Sequence, residues 1–180
     1  MAGARWALLL LLVFPARAAC GDPDPLSDDS CTAETERWWV NGGVGSASGD
    51  IGSGPLLSAG LSWSSQSGST LLSLRTVYTA EVEFHIFGEA GAPAESAWDA
   101  GVLYGWILRR RLWCASAGAG AGFVGGRRVT GSFLTLGIPA ESQLFLTPLS
   151  WLGVGVYWFA NLNTERSFWG GLFALQIRKP

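Results

Sequence analysis

The chain predicts an all-β fold, an eight-stranded antiparallel up-and-down transmembrane β-barrel. Three observations carry this expectation. Segments of about ten residues alternate between apolar and small or polar side chains, and turn residues separate them. Charged residues make up only 14% of the 180-residue chain, against 48% apolar, with ten tryptophans and 25 glycines; soluble domains usually carry about 25% charge. No run of 18 apolar residues occurs after the N-terminal segment, so a membrane would have to be crossed by strands.

Residues 1–19 have the layout of a cleaved signal peptide: Arg5, an apolar run from Ala7 to Phe14, Pro15, then Ala16-Arg17-Ala18. Cleavage is expected after Ala18 or Ala19. Removing Arg5 and Arg17 leaves 10 basic against 14 acidic residues, a net charge of −4. No basic stripe suited to nucleic acid is visible. Residues 20–37 read as an acidic periplasmic arm with two prolines. Cys20 follows Ala19 directly. It can carry a lipid, bridge to Cys31 in an oxidising compartment, or stay free; Arg17 stands where a lipoprotein signal has an aliphatic residue. With one histidine and three cysteines, no metal-site spacing is present, and no cofactor is expected.

Residues 38–180 form the expected barrel, with strands at 38–47, 55–65, 70–86, 97–108, 111–124, 132–146, 150–161 and 167–178. Tight turns fall at 65–68, 109–110 and 147–149. Longer loops fall at 48–54, 87–96, 125–131 and 161–166. Short turns on the periplasmic side and longer loops outside are the usual arrangement of such barrels. An even strand count puts both ends of the barrel on the side to which a signal peptide delivers the chain.

Alternate side chains of a strand share a face. Trp98, Ala100, Val102, Tyr104, Trp106 and Leu108 make one apolar wall, and comparable walls recur in the following strands. The opposite faces carry Arg75, Thr79, Glu81, Glu83 and His85, then Cys114, Ser116, Gly118, Gly120 and Gly122, then Thr135, Gly137, Glu141 and Gln143. Such a face makes a poor soluble core and a suitable lumen, so the apolar face is expected outside. Outward Trp38, Trp63, Trp106 and Trp113 then form a girdle at the periplasmic rim, and Trp98, Phe123, Trp158 and Trp169 one at the external rim, where aromatic rings prefer the bilayer interface. Trp39 and Trp151 read as inward. A secreted lipocalin-like barrel with an apolar ligand inside is the alternative that alternation also permits.

These features, together with GIPAESQLFLTP at 137–148 and LGVGVYWFANLNTERSFWGGLFALQ at 152–176, resemble the small outer-membrane barrels of Gram-negative bacteria, the type that includes OmpX and the OmpA membrane domain. The chain departs from that type at Ile177-Arg178-Lys179-Pro180, where such barrels commonly end on an aromatic residue. The resemblance implies a location in the outer membrane, contact with its lipid and lipopolysaccharide, insertion by the barrel-assembly machinery, and a monomer.

Some barrels of this type modify lipid A, a chemistry that needs a nucleophile, a base and an orienting acid within hydrogen-bond reach. His85 and Asp99 are expected near the external ends of neighbouring strands, with Ser96, Ser132 or Ser167 as nucleophile. The His-x-Ser pair of the deacylases is absent, since position 87 is Phe, and a polar barrel mouth is the simpler reading. Inside, Arg75, Glu81, Glu83 and Glu141 are expected to pair as a plug, because unpaired buried charge is costly; a gate whose bridges rearrange is the sharper alternative. Arg109 to Arg111 lie in a short turn, solvated or near anionic headgroups. Arg127 and Arg128 are expected in an external loop, solvated or against lipopolysaccharide phosphates. The expected function is a non-enzymatic outer-membrane barrel, structural or acting through its external loops.

Overall fold

The computed structural model describes residues 37–51, 55–82 and 95–179. The signal peptide, all of the arm but Arg37, the cysteines at 20 and 31, Glu83 and His85 lie outside these residues. The strands are β1 (Arg37–Gly49), β2 (Leu56–Ser67), β3 (Thr70–Glu81), β4 (Ser96–Arg109), β5 (Trp113–Arg128), β6 (Gly131–Leu146), β7 (Leu152–Asn163) and β8 (Phe168–Arg178). Each pairs antiparallel with the next, and β1 closes on β8 from Trp39↔Arg178 to Gly49↔Phe168. The result is a closed eight-stranded up-and-down barrel with no free edge, as the alternation predicts.

Eleven to sixteen residues per strand meet or exceed the nine to eleven or so that a tilted strand needs to cross a bilayer. The excess gathers in the β5–β6 hairpin, and here the structure corrects the sequence reading. Residues 125–131 are not a long loop: the ladder continues through Gly125↔Leu134 to Arg128↔Gly131, leaving a turn at Val129 and Thr130. The glycines mark close approach rather than a turn. A Cβ on Gly125 would lie 2.7 Å from the Trp98 indole, and one on Gly126 would lie 2.1 Å from the Ser96 carbonyl oxygen. At the opposite end, Gly68 and Ser69 join β2 to β3. Gly68 has φ +60° and Ser69 does not have positive φ, as a type II′ hairpin turn requires.

The outer surface is apolar. Val44, Leu61, Leu72, Leu74, Val102, Leu134, Leu136, Ile138, Val154, Phe173 and Leu175 are all exposed, on four sides of the barrel. Register places the aromatic rings. Trp38, Trp63 and Trp106 are exposed at the end carrying both termini of the barrel, with Trp113 half-buried beside them. Trp98, Phe123, Trp158 and Trp169 are exposed toward the far end. Tyr78, paired with Trp98, joins the far girdle. Trp151 is a correction: it is 48% exposed rather than inward. It sits in the 147–151 connection just before β7, where strand alternation does not hold, and its carbonyl accepts from Arg178 N.

The lumen is more apolar than its sequence face promised. Phe145, Phe159, Phe168, Leu172, Val77 and Val124 pack inside, and Trp39, Leu71 and Ile107 form a second cluster toward the terminus-bearing end. Eight strands enclose only enough space for side chains. Small residues make room: a Cβ on Gly120 would lie 1.9 Å from the Val102 carbonyl oxygen and 2.8 Å from Leu103 Cα. Gly120→Ala is therefore expected to destabilise the barrel by about 1–3 kcal/mol, the usual cost of overpacking, as read by urea titration of the folded protein. Wild-type stability in that variant would contradict the packing described.

Candidate functional site

The chemistry-bearing side chains converge in the lumen. Arg75 on β3 is buried and forms an ion pair with Asp99 on β4. The two are diagonal neighbours, since Arg75 lies opposite Gly101, a separation a long side chain spans. The guanidinium also crosses the lumen, donating Nη1 to the Ala140 carbonyl at 2.6 Å and Nη2 to the Ala160 carbonyl at 3.1 Å. Asn161 Nδ2 donates to Asp99 Oδ2 at 3.0 Å. One cation thereby ties β3 and β4 to β6 and β7.

Local sequence prepares this contact. Pro139 has no N–H and interrupts the β5–β6 ladder, whose pairs pass from Ala119↔Ala140 to Gly122↔Gly137. Its ring points inward against Gly101, where a Cβ would come within 2.8 Å of Pro139 Cγ. The guanidinium bonds to carbonyls immediately beside this interruption.

Glu141 forms a second network. Its Oε2 accepts from the Tyr157 hydroxyl at 2.6 Å and its Oε1 from Gln143 Nε2 at 3.1 Å. Gln143 Oε1 in turn accepts from Asn41 Nδ2 at 2.9 Å, which also reaches Ser62 Oγ at 3.1 Å. Donors from β6 and β7 thus hold a buried carboxylate, as buried charge requires, and Gln143 links it to Asn41 on β1 and Ser62 on β2. The cavity beside it, bounded by Asn41, Gly60, Ser62, Tyr157 and Leu172, measures about 10 Å³, room for about one water.

The expected lumen residues are therefore distributed as follows. Arg75 and Glu141 are inside but belong to separate hydrogen-bonded networks. Glu81 is buried near the far end of β3, where its backbone N donates to the Glu95 carbonyl. Asp99, expected at a polar mouth beside His85, is the carboxylate that Arg75 holds; the His85 half of that expectation lies outside the described residues. Ser167, a nucleophile candidate, donates to the Asn163 carbonyl and accepts from Asn163 N, so it serves the β7–β8 turn. Asn41, Tyr157 and Asn161 were not singled out from sequence. Their inward parity was the available signal, since Tyr157 lies between outward Val156 and Trp158.

The far end is clasped by two ion pairs. Arg128 pairs with Glu165 and lies over the Phe133 ring at 4.7 Å; Arg166 pairs with Glu95 through two contacts, one of 3.1 Å. Arg128 is thus held within the chain, whereas Arg127 is exposed on the outward face above Phe123. At the other end the Arg109 guanidinium lies over buried Trp39 at 5.3 Å, and Arg178 Nη2 contacts the buried Cys114 Sγ at 3.0 Å.

A closed antiparallel barrel of eight strands, with an apolar girdled exterior and side chains filling its lumen, defines a small membrane-type β-barrel. Its fold is shared with solved structures. Neisserial surface protein A is similar at a TM-score of 0.56 with 9% identity, over 79% of this chain and 95% of that one. Ail, the attachment invasion locus protein of Yersinia pestis, is similar at 0.54 with 11% identity in its complex with the heparin analogue sucrose octasulfate, over 80% of this chain and 99% of that one. A second structure of Ail matches at 0.52 with 10% identity, over 80% and 97% of the two chains. No family model and no curated protein matches the chain.

Proposed function

We propose that the chain is an exported, non-enzymatic outer-membrane β-barrel protein, with a sealed lumen and a role that is structural or exercised by contacts at its far, external end. The observation that carries this reading is the belt of exposed large apolar side chains lying between two aromatic girdles. A water-soluble barrel would leave that belt in contact with solvent, far beyond the few hundred Å² of contiguous apolar patch usual for a monomer. The filled lumen supports a plug: Arg75, Asp99 and Glu141 are all engaged by neighbouring strands, and Trp39 and Phe168 are buried in the lumen as well. The small cavity at Tyr157 counts against an apolar ligand inside. Asp99 is held by Arg75 and Asn161, which counts against its acting as a catalytic acid. One structural neighbour is an attachment protein solved with a heparin analogue, which makes contact through the far end a specific form of this reading.

Two measurements test the proposal in a Gram-negative host. The protein is expected in the outer-membrane fraction, with the lipid A mass spectrum unchanged by its expression. In planar bilayers neither the wild type nor Arg75→Ala is expected to conduct; stable conductance steps in the wild type that Arg75→Ala alters would establish the gate in place of the static plug. A changed lipid A mass dependent on this chain would establish the enzyme.

A further inference from the structure

Closure leaves no edge around the barrel wall, but the β5–β6 hairpin outruns its neighbour on one side. β4 covers β5 as far as Ser96↔Arg127. On the other side β7 stops early: its last pair with β6 is Gly137↔Asn163, whereas β5 and β6 stay paired to Arg128↔Gly131. Residues 131–136 of β6 are therefore paired on one side only, over about 20 Å of strand. Among the described residues, no other backbone bond reaches them. Alternate residues of the stretch turn their N–H and C=O toward the open side.

β7 stops because its turn closes on itself. The Asn163 side chain accepts from Glu165 N at 3.0 Å and Arg166 N at 2.6 Å, and donates to the Arg166 carbonyl at 2.6 Å. Glu165 and Arg166 are themselves engaged by Arg128 and Glu95. The turn is thus a floor beneath the open edge, with its charges paired. Arg128, stacked on Phe133 and bound to Glu165, braces the hairpin above that floor. An edge held in place before binding lowers the ordering cost of binding.

The edge is also unguarded. Strands at sheet edges are commonly blunted by lysine, proline or a bulge, yet residues 131–136 read GSFLTL, with no charge and no proline. Leu134 and Leu136 are 68% and 70% exposed on the outward face of this stretch. Lipid would cover the leucines and leave the open N–H and C=O groups without partners, which is costly. Water would hydrate those groups and leave the leucines bare. An extended polypeptide satisfies both, with main-chain groups at strand spacing and a side chain beside each leucine. A glycan or a lipid has no such row of donors and acceptors.

We propose that the 131–136 edge binds an extended, uncharged segment of another polypeptide, added as a strand beside β6 above the β7–β8 turn. This deepens the reading of contacts at the far end and rests on it. Recognition is carried by the main chain, and apolar side chains at alternate positions of the partner lie beside Leu134 and Leu136.

The test uses the full chain folded in vesicles and a labelled eight-residue peptide of alternating valine and threonine. The peptide is expected to bind, with little dependence on salt, and to slow amide hydrogen exchange within 131–136. The same peptide N-methylated throughout, which has no N–H to donate, should not bind. Leu134→Lys with Leu136→Lys, which puts charge on the edge, should weaken binding by about tenfold. No binding of the plain peptide, equal binding of the methylated one, or exchange within 131–136 already slow throughout without peptide overturns the proposal. So does a dimer of the free chain that the two lysines dissolve, which would make the edge a contact between copies. Gel migration before and after boiling is read on the same samples. A shift without peptide binding sinks the edge alone, whereas no shift in any vesicle sinks the membrane reading.

Discussion

Val102→Arg is expected to cost about 2–4 kcal/mol of folding free energy in a bilayer, the penalty for a cation at the midplane of a barrel's lipid face. Val102 lies on β4 midway between Trp98 and Trp106 and is 51% exposed, so the new side chain would meet no packing obstacle. In water such a substitution changes stability by only about ±0.5 kcal/mol. The contrast makes the cost a property of the surroundings rather than of the barrel. Val129→Arg provides the control: Val129 is 79% exposed in the β5–β6 turn beyond the far girdle, and depth-dependent penalties fall to about 0–1 kcal/mol there. Urea titration of the two variants in vesicles gives the difference. Equal costs would mean that the apolar wall does not face lipid.

Asp99→Leu is expected to cost about 3–5 kcal/mol, because it leaves the Arg75 charge buried without its carboxylate. Arg75→Met should do similar damage, since Asp99 would keep only Asn161, and the Ala140 and Ala160 carbonyls would lose their donor. The double variant is expected to cost far less than the two singles together, as a coupled pair requires. The same titration decides it. Additive losses would show that Arg75 and Asp99 act independently, and the account of the lumen as a tied set of strands would fail.

Strand count, faces and girdles were legible because one period governs them. Trp98, Val102 and Trp106 recur every four residues, and a wrong face would have left charges on the outside. Glycine was harder to read, since it serves both turns and close contacts. Nothing local says that Gly125 lies under the Trp98 indole, because that contact is made across a strand pair. Trp151 failed for a related reason: parity counted past the end of a strand no longer reports a face.

The lumen was half legible. Parity put Arg75, Asp99 and Glu141 inside, but partner choice depends on diagonal neighbours. Arg75 meets Asp99 two residues off its register partner, and Glu141 meets Tyr157 by the same offset across β6 and β7. The reach of Arg75 to β6 and β7 depends on the width of the closed barrel, which no strand records. The apolar plugs were missed because the inward face was judged on its small and polar members, whereas Phe145, Phe159, Phe168 and Leu172 share it.

The central claim is that this chain folds as a closed barrel with its apolar face in lipid. Its most direct test is gel migration of the protein folded into vesicles, with and without boiling. A closed barrel that resists detergent should run at a different apparent mass until heated, and should form only when lipid or detergent is present. A protein that folds in plain buffer, stays in the soluble fraction and migrates identically before and after boiling would contradict the account and reverse its assignment of inside and outside.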